Sequence, residues 1–145
     1  MLWKSVKFKK VSFLKNTMEK TFVVPQGKGL EINTPLGKHI IAEVYFTSPE
    51  ILNNEKKLVE IMETASRKGG MTVISSSSHK FNPHGVTAMV MLSESHVSIH
   101  TWPEFNYAAI DIYTCGKNPE RVYEELMNRL PVKKSKVKII ERGLY

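Results

Sequence analysis

"LSESHVSIHTWPEFNYAAIDIYTCG", residues 92–116, decides how the rest of the chain is read. Two runs rich in β-branched and aromatic side chains, 96–102 and 107–114, flank the short link Pro-Glu-Phe-Asn. That pattern predicts two neighbouring strands. The same stretch carries His96, His100, Glu94, Glu104, Asp111 and the chain's only cysteine, Cys115. A plain strand pair has no use for so many reactive groups.

Working outward, "KHIIAEVYFT" (38–47), "MTVISSSSHKF" (71–81), "VTAMVMLS" (86–93) and "SKVKIIE" (135–141) also read as strands. Ser48-Pro49-Glu50 carries a cap-plus-proline signature, and Leu58, Ile61, Met62 and Ala65 recur at helical spacing. Gly69-Gly70 stop that helix. Asn118-Pro119-Glu120 repeats the signature ahead of Val122, Leu126 and Leu130. The order is β-α-β-β-β-β-α-β, read as two β-α-β-β-like halves. Two helices for about six strands predict an α+β, two-layer sandwich, an antiparallel sheet with both helices on one face. The other face then needs cover, and a partner subunit would supply it.

At 145 residues and 41% apolar, the chain is sized for a single domain. No apolar run is long enough to span a bilayer, and the N-terminus lacks a secretory pattern. One cysteine cannot form an internal disulfide, which fits a reducing compartment and a cytoplasmic location. The net charge of +7 is concentrated in the leader, residues 1–35, where seven lysines oppose two glutamates. The remaining residues, 36–145, hold 14 basic against 12 acidic groups, so no broad basic face for nucleic acid is expected. The leader reads as a mobile extension or an added edge strand, and Met18 offers an alternative start. A binding module that uses this lysine-rich leader on RNA or membrane stands as a third kind of function, although no recognition motif accompanies the charge.

Four chemistries compete for the reactive stretch. His96 and His100 would suit a metal on a helix, but on a strand they lie about 13 Å apart, too far for one zinc ion. Ser95 lacks a nucleophile elbow, which argues against a serine hydrolase. Taken singly, Ser95, His100 and Cys115 each read as turn, core and buried residues. The fourth chemistry turns the serine on its own backbone. Its hydroxyl attacks the Glu94 carbonyl, the chain passes from amide to ester, and β-elimination breaks the ester. The dehydroalanine left behind hydrolyses to a ketone. That route needs a strained peptide, an oxyanion donor and a base, and His100 has a suitable ordinary pKa. Strict alternation sets positions 95 and 100 on opposite faces, so Ser95 must lie in a turn or a bulge must intervene.

The run "HKFNPHGVTAMVMLSESHVSIHTWPEFNYAAIDIYTCG" resembles the small prokaryotic class of S-adenosylmethionine decarboxylase proenzymes. The likeness extends from "GKHIIAEVYF" to "ERGLY" and omits the leader. It implies self-cleavage between Glu94 and Ser95, with a pyruvoyl cofactor, derived from Ser95, that forms a Schiff base with the substrate amine. It also implies that His100 serves processing and that Cys115 reprotonates the substrate α-carbon and assists maturation. Phe81 would stack on the adenine and face the sulfonium, and Glu104 would hold the ribose hydroxyls. Thr87 falls where a serine usually supports processing, so cleavage is expected to be slower. Asn106 falls where glycine is common, and "TAMV" is bulkier than the usual glycine-containing stretch. The product would be the aminopropyl donor for spermidine, and the assembly a dimer of αβ units. The departures at Thr87–Met89 and Asn106 leave open a second substrate class, a free basic amino acid such as L-ornithine or L-arginine. A metal is not expected in any of these readings.

Overall fold

β1 (Gly37–Phe46) runs through the sheet with every second residue, Ile40, Ala42, Val44 and Phe46, fully buried. That period of two fixes one face to the core. A computed structural model describes residues 34–115 and 118–144 of the chain, so the leader expected over 1–35 lies almost wholly outside the described residues. After β1 come α1 (Glu55–Lys68), β2 (Val73–Lys80), β3 (Val86–Leu92), β4 (Ser95–Trp102), β5 (Tyr107–Thr114), α2 (Pro119–Arg129) and β6 (Val132–Arg142). The six strands form one antiparallel sheet in the order β2-β3-β4-β5-β1-β6. Each half of the chain supplies three strands and one helix; the second half runs β-β-α-β.

Both helices lie on one face. Leu58, Ile61, Met62 and Ala65 of α1 and Val122 and Leu126 of α2 share a core with Val86, Ala88, Val90, Val97, Ile99, Ile110 and Ile112. Burial of this apolar surface, at roughly 25 cal/mol per Å2, is what holds helices to sheet. Their opposite faces carry lysines, arginines and glutamates, as expected of surface helices.

The first helix starts later than the Ser48-Pro49-Glu50 signature suggested. A 3-10 turn occupies Glu50–Asn53, and α1 begins at Glu55, because Asn54 caps it by accepting from Lys57 N at 3.1 Å. The 3-10 turn is fastened to the sheet instead. Leu52 is fully buried, and its carbonyl accepts from the Thr101 hydroxyl of β4 at 2.7 Å. The second helix begins as expected, with the Asn118 side chain accepting from Glu120 N at 3.0 Å. β6 is longer than the 135–141 expectation, since its pairing with β1 continues from Gly37↔Arg142 to Phe46↔Val132 across a bulge.

Among the described residues, no helix packs on the second face of the sheet. Register places His39, Ile41, Glu43 and Tyr45 of β1 beside Tyr107, Ala109, Asp111 and Tyr113 of β5 on it. His96, Ser98, His100 and Trp102 of β4 and Thr87, Met89 and Met91 of β3 continue that face. Met89, Met91 and Trp102 are among its exposed large side chains. Among the described residues, no helix is long and apolar enough to cross a membrane.

Candidate active site

Ser95 is the first residue of β4, directly after the turn at Ser93-Glu94; it pairs with Leu92 and Thr114 and no bulge separates it from His100, so neither the turn position nor the bulge expected from alternation is found. Its φ is 147°, a backbone conformation that a side-chain-bearing residue adopts at a cost of order 1–3 kcal/mol. Neighbouring bonds hold it there. Ser93 N donates to Thr72 O at 3.0 Å, and Thr72 N donates to the Glu94 carboxylate at 2.7 Å. The Ser93 hydroxyl donates to the other Glu94 carboxylate oxygen. The Glu94 carbonyl, the acyl half of the bond in question, accepts from Cys115 N at 2.8 Å. The Ser95 hydroxyl lies 3.4 Å from the Cys115 thiol. Serine, strained peptide, thiol and a donor to the carbonyl oxygen therefore meet at one end of β4.

The surroundings of this end are aromatic and basic. The Tyr113 hydroxyl is 4.0 Å from Cys115 Sγ, and this contact, with some burial, pushes the phenol above its usual range. Arg142 of β6 lies over the Tyr113 ring and reaches His39 Nδ1 at 3.0 Å, while His39 Nε2 meets Asp111 at 2.8 Å. Burial holds the His96 imidazole below its ordinary value, and His39 adds to the effect while Asp111 opposes it.

A second group of residues gathers at the other end of β4. Thr87 and His100 are directly paired across β3 and β4, with Thr87 Oγ1 3.0 Å from His100 Nδ1. With Phe81, His84, Trp102 and Glu104 they line a cavity of about 390 Å3, within the range of small-molecule sites. Phe81, 49% exposed, offers a ring face, and His79 packs edge-on to it at 4.6 Å. The cavity rim is rigid. The 81–85 turn closes through Phe81 N donating to Gly85 O at 2.9 Å, and Gly85 N donates to the Asn53 side chain at 3.1 Å. Gly85 has φ 105°, and a Cβ there would sit 3.2 Å from the Thr101 carbonyl. Asn106, which ends the 3-10 turn Pro103–Phe105, has φ 50°. Asparagine tolerates that left-handed conformation, and so it can stand where glycine is common in the resembled family.

The structure thus divides the expected residues into two groups. Ser95, Glu94 and Cys115 form one; Phe81, Thr87, His100 and Glu104 form the other. Five residues of extended strand separate Ser95 from His100, about 16 Å at roughly 3.3 Å per residue, so within one chain the base does not reach the serine. Both groups border the helix-free face, because Cys115 Sγ reaches Tyr113 and Thr87 and His100 project from that face. Cys115 N as a carbonyl donor, His84 and Trp102 in the cavity, and Tyr113 beside the thiol were not singled out from sequence. The backbone donor has no side-chain signal, and His84 reads as part of a turn.

Comparison with known proteins matches this architecture. The model of the S-adenosylmethionine decarboxylase family matches residues 38–143. The chain is similar to the S-adenosylmethionine decarboxylase proenzyme of Thermotoga petrophila, 43% identical over 112 residues that cover 76% of this chain and 86% of that one. It is similar to the proenzymes of Thermosipho africanus, 45% identical over 114 residues (76% and 86%), and Moorella thermoacetica, 45% over 111 residues (75% and 89%). Among solved structures, the adenosylmethionine decarboxylase of Aquifex aeolicus superposes with a TM-score of 0.72 at 36% identity, covering 77% of this chain and 94% of that one. The chain belongs to the S-adenosylmethionine decarboxylase family and is a carboxy-lyase of that family. None of these relatives speaks for a free basic amino acid as substrate.

Proposed function

We propose that this chain is a proenzyme that cleaves its own Glu94–Ser95 bond and then decarboxylates S-adenosylmethionine, in a site completed by a second copy. The observation that carries the reading is the Ser95 peptide. Its φ of 147° and the Cys115 N–H on the Glu94 carbonyl prepare one bond for attack by an adjacent hydroxyl. Ser95 Oγ adds to the Glu94 carbonyl carbon, and the Cys115 amide donates to the oxygen as it becomes anionic. Collapse expels the Ser95 nitrogen and leaves an ester, which relieves the strained conformation. Removal of the Ser95 Cα proton then expels the Glu94 carboxylate and leaves dehydroalanine. Its imine tautomer takes up water and releases ammonia. The products are a β chain of residues 1–94 and an α chain of 95–145 that begins with a ketone.

The residues present fit that cofactor, which when formed withdraws electrons from the substrate carbon that loses carbon dioxide. Phe81 presents a ring for adenine and the sulfonium, and Glu104 presents a carboxylate for the ribose hydroxyls. A thiol that delivers a proton must remain protonated. Cys115 Sγ lies 4.0 Å from the Tyr113 hydroxyl and 3.4 Å from the Ser95 hydroxyl. A free thiol of this kind suits a cytoplasmic, reducing location. Decarboxylated S-adenosylmethionine, the aminopropyl donor for spermidine, is the product.

A second copy is supported by the separation of about 16 Å along β4 and by a sheet face that no described helix covers. If two such faces pack so that their β4 strands run in opposite directions, the His100 end of each lies over the Ser95 end of the other. Thr87, His100, Phe81 and Glu104 of one subunit then serve Ser95 and Cys115 of the partner, and the dimer of αβ units holds two sites. The functional test is an intact-mass spectrum of the purified protein together with carbon dioxide release. Two fragments that meet at 94/95, and activity lost on borohydride reduction of the ketone, are expected. A single 16.5 kDa chain that stays intact for hours at neutral pH would overturn the reading. So would release of carbon dioxide from L-ornithine or L-arginine in preference to S-adenosylmethionine.

A further inference from the structure

Glu104 does not face the cavity alone. His84 Nε2 lies 3.1 Å from Glu104 Oε2, and both side chains are about two-fifths exposed at the rim. The two belong to separate loops. His84 stands in the 81–85 turn, which also carries Phe81, and Glu104 stands in the 3-10 turn that follows β4. Each loop is fastened to the body independently. The first is tied through Gly85 to Asn53; the second is tied by Phe46 N donating to Asn106 O at 2.8 Å. The His84–Glu104 contact links the two loops across the mouth.

We infer that His84 is the positioning residue that sets Glu104 for a vicinal diol, and so helps select a ribonucleoside substrate; this rests on the proposal that Glu104 reads the ribose. A carboxylate has about four lone-pair sites on two oxygens, and the His84 ring approaches only one oxygen, Oε2. Among the described residues no other side chain pairs with Glu104, which leaves Oε1 to accept from the hydroxyls. Without a partner, an exposed glutamate samples several rotamers and loses that freedom on binding. His84 removes part of this cost in advance. It also fixes the spacing between the Phe81 ring and the carboxylate, the two ends of an adenosine, because His84 and Phe81 share a turn.

The experiment compares wild type, His84→Ala, His84→Gln, Glu104→Gln and the double variant His84→Ala/Glu104→Gln on S-adenosylmethionine and its 2′-deoxy analogue, with the extent of self-cleavage as the folding control. His84→Ala is expected to raise KM about tenfold with the loss falling on KM rather than kcat, and to shrink discrimination against the 2′-deoxy analogue by a similar factor. His84→Gln, whose amide reaches nearly as far as Nε2, is expected to recover most of both. In the Glu104→Gln background, His84→Ala should add little, since the histidine acts through the carboxylate. An unchanged KM and unchanged discrimination in a fully cleaved His84→Ala enzyme would overturn the role of His84 while Glu104→Gln still raises KM. If Glu104→Gln itself leaves KM and discrimination unchanged, the ribose reading of Glu104 fails first and the inference falls with it. Should His84→Ala fail to cleave, His84→Leu carries the same comparison.

Discussion

At Ser95 the residue's chemistry and its backbone conformation point the same way. On the proposed route, a serine at φ 147° stores conformational energy that the acyl shift would release, and the Cys115 N–H already donates to the Glu94 carbonyl oxygen. Because that donor is main chain, Cys115→Ala is expected to retain cleavage, although more slowly, while kcat for decarboxylation falls by about 10^2–10^4 through loss of the proton donor. Fragment masses and carbon dioxide release, measured on the same preparation, separate the two effects. The Thr87 hydroxyl lies 3.0 Å from His100 Nδ1, and on the proposed reading it supports processing through that contact. Thr87→Ser should cleave at least as fast as wild type, and Thr87→Val should cleave about tenfold more slowly, in a time course followed by gel. Asn106 already occupies the left-handed conformation at φ 50°, so Asn106→Gly should change unfolding free energy in urea by less than about 1 kcal/mol.

Among the elements, β4 and its neighbours tie the site to the fold. Its helix-facing residues Val97, Ile99 and Thr101 are buried in the core, and its other face carries His96 and His100. His96 has a folded pKa below its ordinary 6.5, so the neutral ring is the stabilised form. Its contribution is therefore fully present above about pH 6.5 and is lost as pH falls through the lower folded value. His96→Gln should flatten the decline of melting temperature between about pH 6.5 and 5 relative to wild type, measured on the uncleaved Ser95→Ala background; an unchanged slope would contradict the assignment. The elements themselves were largely legible in the sequence, because period-two burial in β1 and β5 and the Asn118-Pro119 start of α2 are local signals. The 3-10 turn at Glu50–Asn53 was not. A competing cap at Asn54 and the tether from Thr101 to Leu52 decide it, and the tether is a long-range contact. The extent of β6 was hidden for the same reason, since its outer residues are mostly exposed and only pairing with β1 defines them.

For the whole molecule, the distribution of the site along β4 is the feature that sequence proximity concealed. Ser95 and His100 are five positions apart, close along the chain. On an extended strand the same spacing puts them about 16 Å apart, with the helix-free face of the sheet between them. Residue types were readable because each has its own chemistry; on the proposed reading, which copy of the chain supplies each is a property of assembly. The exposed Met89, Met91 and Trp102 give that face methionine and aromatic side chains of the kind enriched where proteins associate. Co-expression of differently tagged Ser95→Ala and His100→Ala chains tests the composite site most directly. Each variant alone should stay uncleaved or nearly so. In the purified mixed dimer the Ser95→Ala chain still carries His100, and the account predicts that it drives cleavage of the His100→Ala chain at 94/95. Mixed dimers in which the His100→Ala chain remains as uncleaved as it is alone would contradict it.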